Sequence, residues 1–217
     1  SAGTVKLSNS TTPLTVSGLS IGTGATLDLT TDAADVAGGS LSAITALAAS
    51  GYNQKGGANW SGTGLTSSTA AADSRHLTAV GVIQNNQSGT ALFTAAHPFD
   101  GVVPGPGDVL AAYTYYGDAN LDGQVDGSDY SLIDSGYLQH LTGWFNGDFN
   151  YDGVIDGSDY ALIDNAFNTQ GASLADAIAS RTAQITSGSI AAVPEPGLLP
   201  LAGTACLALL RRRPRNT

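Results

Sequence analysis

Glutamate is all but missing from this 217-residue chain: of 18 acidic residues, only Glu195 is not an aspartate. Glycoside hydrolysis rests on a pair of flanking carboxylates, and no Glu stands before Glu195 to join one. Cysteine occurs once, as Cys206 inside an apolar stretch, which excludes a disulfide framework and reads as an apolar filler. Basic residues are equally sparse. Ahead of the last seven residues there are only Lys6, Lys55, Arg75 and Arg181, so the surface is acidic and nucleic acid is excluded as a partner. His76, His97 and His140 are scattered and share no ligand spacing. Gly22-Thr-Gly24 lacks the Lys-Ser/Thr that a phosphate loop requires. Ser1-Ala-Gly-Thr has neither the basic start nor the apolar run of a signal peptide. We therefore expect either a removed signal or the end of a longer chain, and no enzyme.

What the chain does have is one acidic pattern written twice, thirty residues apart. Asp118 to Asp129 reads Asp-Ala-Asn-Leu-Asp-Gly-Gln-Val-Asp-Gly-Ser-Asp, and Asp148 to Asp159 reads Asp-Phe-Asn-Tyr-Asp-Gly-Val-Ile-Asp-Gly-Ser-Asp. Oxygen-bearing side chains fall at positions one, three, five, nine and twelve, with glycine at six. A hard divalent cation takes six to eight oxygen ligands, and the glycine permits the turn that gathers them. The expected ligands of the first loop are Asp118, Asn120, Asp122, the carbonyl of Gln124, Asp126 and bidentate Asp129. Those of the second are Asp148, Asn150, Asp152, the carbonyl of Val154, Asp156 and bidentate Asp159. The expectation is two Ca2+ ions rather than Mg2+, which prefers fewer protein ligands and keeps its water.

The charges give the reason. Carboxylates crowded to about 5 Å repel by roughly 1–3 kcal/mol per pair, and four of them in each loop make the empty compact loop unfavourable. No Lys or Arg occurs between Arg75 and Arg181, so the compensating charge has to come from solution. A solvated acidic run would account for the charge but not for the spacing or the paired glycines. A helix is expected after each loop: Tyr130, Ile133, Tyr137 and Leu141 recur at helical spacing, as do Tyr160, Ile163 and Phe167. Ser128 and Ser158 read as helix caps, and the aromatic residues, with Trp144 and Phe145, read as core. Val125 and Ile155, at position eight, are expected to point inward.

This duplicated loop-helix unit resembles the type I dockerin repeat over roughly residues 115–170. An EF-hand would place a helix before each loop and a Glu at position twelve. Here a strand-like run, Asp108-Val-Leu-Ala-Ala-Tyr-Thr-Tyr-Tyr116, precedes the first loop, and position twelve is Asp in both. The resemblance implies two calcium ions ordering a small helical module that binds a cohesin-like partner. In that family positions ten and eleven help select the partner. Here they are Gly127-Ser128 and Gly157-Ser158, so calcium binding carries over better than cohesin binding.

A second resemblance lies at the C-terminus. Pro194-Glu195-Pro196, an apolar stretch from Leu198 to Leu210, and Arg211-Arg212-Arg213-Pro-Arg215 together resemble a PEP-CTERM sorting signal. That resemblance implies export by a Gram-negative bacterium, a transient membrane anchor, and processing by an exosortase-type enzyme. Thirteen residues span about 20 Å as a helix, short of the roughly 30 Å hydrocarbon core, and Pro200 shortens the helix further. The arginines would hold the end in the cytoplasm.

The first 112 residues are rich in Ser, Thr, Gly and Ala. Thr4–Leu7, Leu14–Val16, Leu19–Ile21 and Ala25–Thr30 read as short alternating strands at a spacing near ten residues. This weakly resembles the end rungs of an autotransporter-type β-solenoid; a sandwich is the alternative. Leu41–Ala49 reads as a short helix, and Thr78–Ile83, Ala91–Thr94 and Val109–Tyr116 as further strands. Asp73 with His76 reads as a surface ion pair or loop contact ahead of an acid-base pair. Tyr52 and Trp60 are candidates for stacking on a sugar or for packing.

The combined expectation has four parts. A mainly β N-terminal domain, a β-solenoid end or a sandwich, covers 1–114. A small helical dockerin-like module with two calcium loops covers 115–170. A helix and linker cover 171–192, and a short apolar sorting helix covers 193–217. Functionally this predicts an exported calcium-binding surface or extracellular-matrix protein of structural or adhesive role. Its expected partners are copies of itself, a cohesin-like domain or extracellular polysaccharide. The alternative is the docking region of a longer secreted polysaccharide-active enzyme.

Overall fold

The computed structural model describes residues 2–8, 10–57, 59–171 and 174. The chain opens with two turns that stack on each other. Strand β1 (Thr4–Lys6) lies parallel to β3 (Thr26–Asp28), with Thr4 opposite Thr26. Strand β2 (Leu14–Val16) lies parallel to β4 (Ala33–Val36), with Leu14 opposite Ala34. Successive turns thus advance by about twenty residues and place like strand on like. Asp28 ties the layers together: its carboxylate accepts from the Thr30 and Ser68 amides and pairs with Lys6 at 3.3 Å.

Helix α1 (Leu41–Tyr52) then follows. The Ser40 side chain caps its start, and Asn53 ends it in the left-handed region at φ 57°. β5 (Gly64–Thr66) extends the first sheet to the order β1-β3-β5. After α2 (Ser68–Ala72) come β6 (Thr78–Gln84), the small hairpin β7 (Asn86–Gln87) and β8 (Thr90–Ala91), and β9 (Val109–Tyr115). The second sheet has the order β2-β4-β9-β6, with β9 antiparallel to both neighbours. Apolar residues fill most of β6 and β9, and all but one residue of each strand is buried.

β9 runs directly into the first acidic loop. Helix α3 (Gly127–Gln139) follows that loop, and α4 (Gly157–Thr169) follows the second. The two halves are related by an exchange of contacts. The Tyr130 hydroxyl donates to Asp164 at 2.5 Å and the Tyr160 hydroxyl to Asp134 at 2.6 Å. Gly117, just before the first loop, faces Ile163, and Gly147, just before the second, faces Ile133. A Cβ at either glycine would lie 2.5 Å from the isoleucine Cγ1, so each helix closes on the opposite half only because these positions lack a side chain.

A single hydrophobic core joins these parts. Tyr52, Trp60, Tyr116, Trp144 and Tyr151 form a chain of ring contacts with centroids 5.3–6.5 Å apart. The Trp60 indole N–H donates to the Tyr116 hydroxyl at 2.9 Å, and the Tyr151 hydroxyl donates to the Val80 carbonyl at 2.7 Å. Residues 1–180 cluster as one unit. Arg181–Thr217 lie outside the described residues, and among those described no helix is long and apolar enough to cross a membrane.

Of the two readings for Tyr52 and Trp60, packing holds: they are 6 % and 2 % exposed and belong to the core. Other expectations are corrected. Leu19–Ile21 forms no strand; it lies between Gly18 and Gly22 in the crossing from β2 to β3. In the 91–94 run only Ala91 joins a ladder. β4 was not legible, because its core-facing alanines and its aspartate do not read as a strand. Tyr137, Leu141 and Phe167 are substantially exposed rather than core. Ile133 and Gly136 face inward instead, and Gly136 packs against the Asn146 carbonyl. Asp73 accepts from the amides of Arg75, Leu77 and Thr78, the loop contact expected ahead of an acid-base pair with His76. The helix and linker expected over 171–192 and the sorting signal, with Pro194, Glu195, Pro196, Arg211, Arg212 and Arg213, fall outside the described residues, Gly171 and Leu174 excepted.

Candidate metal centre

Each loop is held by hydrogen bonds from its own backbone to its own carboxylates, and the two loops use almost the same set. At position one, Asp118 accepts from the amides of Asp122 (3.1 Å) and Gly123 (2.9 Å), while Asp148 accepts from Gly153 (3.2 Å). At position three, the Asn120 and Asn150 side-chain oxygens accept from the amides of Asp122 and Asp152. At position five, Asp122 and Asp152 accept from Gln124 and Val154. Position-six glycines Gly123 and Gly153 both sit at φ +87°, the left-handed turn that lets the first carboxylate reach their amides.

Positions nine and twelve build the helix start. Asp126 and Asp156 are the N-caps, accepting from Ser128 and Ser158; Asp129 and Asp159 reach back to the cap amides and complete capping boxes. The serines expected as caps are therefore second helical residues, because the acidic side chain two residues earlier starts the helix. Asp129 and Asp159 also accept from the amides of Ala119 and Phe149. The carboxylate ending each loop thus folds back over its beginning.

Burial sets the electrostatics. Asp118, Asp129 and Asp159 are 0 % exposed and Asp148 is 3 %. Burial pushes the Asp118 carboxyl well above the usual carboxylate range, against the Thr114 and Gly123 hydrogen bonds, and the neighbouring Asp129 and Asp122 raise it further. Asp129 and Asp159 are pushed up to about 6, again by burial first. Burial also raises Asp148, and its Oδ1 is buried with no hydrogen-bond partner. Asp126 and Asp156 move the other way, held down by the Ser128 and Ser158 donors. Among the described residues no basic side chain forms an ion pair with any of the four buried carboxylates. The one ion pair among the described residues is Lys6 with Asp28, far away in sequence.

The donor set fits a hard cation. Each loop carries Asp side chains and an Asn tied together by hydrogen bonds, and Asp148 has a buried oxygen that takes no hydrogen bond among the described residues. Among the described residues no three His, Cys, Asp or Glu side chains converge closely enough to hold an ion by themselves. The Asn120 and Asn150 amide groups donate to Asp122 and Asp152 and bridge to Ser128 and Ser158, drawing positions three, five and eleven together.

Three contributors were not visible in the sequence pattern. The Trp144 indole N–H donates to the Asp118 carbonyl at 2.7 Å. The Thr114 hydroxyl donates to the Asp118 carboxylate. The Gln170 carboxamide accepts from the Val125 amide at 2.8 Å and donates to the Val125 carbonyl. A helical 3.6-residue offset hints at Thr114 in no way, since it lies on a strand; the others act across 26 and 45 residues. No family model, curated protein or solved structure matches the chain.

Proposed function

We propose that this is an exported, non-enzymatic surface or matrix protein in which two Ca2+ ions order a dockerin-like module. The observation that carries the reading is the set of buried carboxylates, Asp118, Asp129, Asp148 and Asp159, in two loops of matching backbone geometry, none of them in an ion pair among the described residues. A divalent cation in each loop removes the repulsion and meets the unpartnered oxygen of Asp148. Asp118, Asn120, Asp122, Asp126, Asp129 and the Gln124 carbonyl would hold the first ion. Asp148, Asn150, Asp152, Asp156, Asp159 and the Val154 carbonyl would hold the second. The ions supply charge and cross-links; they do no chemistry on a substrate.

The stacked parallel turns of β1 with β3 and β2 with β4 support the reading of the N-terminal part as the end of a solenoid. β9 sits inside the second sheet and leads straight into the first loop, so ion binding would brace the sheet as well as the helices. Export and anchoring rest on the Pro194-Glu195-Pro196, apolar and arginine series. Calorimetric titration of chelator-treated protein tests the centre. Two ions per chain are expected, with a gain in helical circular dichroism; no uptake refutes the reading. Glu195→Ala is expected to leave the chain unprocessed in a host with an exosortase, and normal processing refutes the sorting role.

A further inference from the structure

Where β4 ends and β9 begins, two carboxyls meet with no base between them. Asp35 stands opposite Leu110 in the β4–β9 ladder, and Asp108 precedes Leu110 by two residues, so both side chains project from one face. Their surroundings treat them differently. The Asp108 carboxylate accepts from the Gly38 amide at 2.9 Å and from the Gly105 amide at 2.6 Å, one at each oxygen. Its backbone carbonyl accepts from the Asn85 amide at 2.9 Å. Asp108 therefore fastens the turn after β4, the end of β6 and the loop that leads into β9. Asp35 is 2 % exposed, and its Oδ1 has no hydrogen-bond partner among the described residues.

Among the described residues no opposite charge relieves this contact. β2 and β6, which flank β4 and β9, carry no charged side chain, and neither does α1. The other titratable groups on the elements packed here are Asp32 ahead of β4, which accepts from the Ser10 amide, Tyr113 and Tyr115 farther along β9, and His97 and Asp100 in the loop before it. The ion pair of Lys6 with Asp28 belongs to the first sheet. A desolvated anion without a donor, set beside a second anion, is unfavourable on both counts. A proton on Asp35 answers both. The charge disappears, and the new hydroxyl finds an acceptor in Asp108, whose two oxygens already accept from amides.

We propose that Asp35 and Asp108 share one proton, carried by Asp35, and form a latch between β4 and the loop ahead of β9 that is closed in acid and loosens as the pH rises. The latch belongs to the N-terminal sheet and does not rest on the calcium loops. Burial pushes the Asp35 carboxyl above an ordinary 3.8, and the Asp108 charge and a hydrogen bond with Asp108 raise it further. The folded state thus holds a proton that the unfolded chain gives up near 3.8. The stabilisation is fully present below pH 3.8 and lost as the pH rises through the folded value of the pair. Gly38 and Gly105, whose amides Asp108 holds, are the backbone points that loosen.

The test follows hydrogen exchange of the Gly38 and Gly105 amides in the full chain, with calcium present throughout. The comparison is with Asp35→Asn, whose carboxamide N–H replaces the shared hydroxyl. Above pH 3.8 the protection of both amides in the wild type, relative to the variant, should fall by up to about tenfold per pH unit, the slope for one proton. It should level off once the pair has titrated. Asp108→Asn should flatten the same profile, since a carboxamide there donates to an ionised Asp35, and it serves if the first variant does not fold. The carboxyl carbon resonance of Asp35 in the wild type, which needs no variant, should titrate above 3.8. Parallel exchange profiles for wild type and variants overturn the proposal, and so does an Asp35 resonance that titrates at 3.8. Raising calcium about tenfold at constant ionic strength should leave the Asp35 titration where it is. A downward shift overturns the proposal, because a cation rather than a proton would then join the pair.

Discussion

The first loop and the second share their twelve-position code and most of their internal hydrogen bonds, yet the rest of the protein treats them differently. Asp118 follows a central strand, and its carboxylate receives the Thr114 hydroxyl and two loop amides while its carbonyl receives Trp144. Asp148 follows the short turn Trp144–Asn146, receives longer bonds from Gly143 (3.4 Å) and Gly153 (3.2 Å), and leaves Oδ1 without a partner. At position eight, Gln170 grips Val125, while Ile155 is held by its buried side chain alone. One loop is preorganised by its surroundings; the other has fewer such contacts. The difference lies in contacts made to each loop, since the ligand types are the same.

The largest expected effect erases the comparison. Removing calcium, or making Asp118→Ala with Asp148→Ala, takes the stabilising ion from both loops. Two sites with ligand at about 1,000 times Kd contribute about 8 kcal/mol, which for a domain of this size corresponds to a fall in Tm on the order of 20 °C. Scanning calorimetry with and without chelator measures it. An unchanged melting curve would refute the two-ion account.

The single substitutions separate the loops. In chelator, Asp118→Ala is expected to cost about 3 kcal/mol, because the Thr114 hydroxyl and the Asp122 and Gly123 amides lose their acceptor in a buried place. Asp148→Ala in chelator should change stability by less than about 1 kcal/mol, since it removes a desolvated carboxylate with few partners. With calcium both variants lose a first-position ligand and one bound ion. Urea unfolding in the two conditions gives the four values, and equal costs in chelator would remove the distinction between the loops.

The two loops were readable because they are a local code: twelve residues set the spacing, and hydrogen bonds between near neighbours hold it. What made the loops unequal was not readable. Trp144 reaches Asp118 across 26 residues and Gln170 reaches Val125 across 45, and nothing in their own neighbourhoods marks them. The fold divides in the same way. β6 and β9 announced themselves by apolar runs, whereas β4 and β5 are strands because they pair with β9 and β3, and Tyr52 is core because Trp60 and Tyr151 close over it. Helical spacing put Tyr137 on the same face as Ile133, but the close approach of Gly136 to Asn146 turns α3 so that Tyr137 is left at the rim.

Acidity should affect the two loops alike and so tests the part they share. In chelator, Asp129 and Asp159 have folded values near 6, raised by burial above an ordinary 3.8. The folded state then holds extra protons, and the resulting stabilisation is fully present below pH 3.8 and lost as the pH rises through about 6. Carboxyls held low by hydrogen bonds, such as Asp28 and Asp73, act in the opposite direction at the acid end. The comparison is therefore wild type against Asp129→Asn with Asp159→Asn. Wild type should lose stability between pH 4 and 6.5 (about the span of the shift) relative to the variant in chelator. Calcium, which favours the ionised form, should remove that loss. A difference curve that is flat in chelator would contradict it.

The smallest effect turns the first loop into something like the second. Gln170→Ala removes the two hydrogen bonds on Val125 while every ligand of the loop stays in place. A hydrogen bond is worth about 0.5–1.5 kcal/mol net, so losing both bonds should weaken the tighter calcium step by roughly five- to a hundredfold. The weaker step should not move, because the second loop has no equivalent clamp to lose. Calorimetric titration resolves both steps, and the result has diagnostic value in either direction. If the two affinities converge in the variant, the clamp is what distinguishes the loops. If the tighter step stays where it was, the difference resides at position one, with Thr114 and Trp144, and Thr114→Val becomes the substitution that should bring the affinities together.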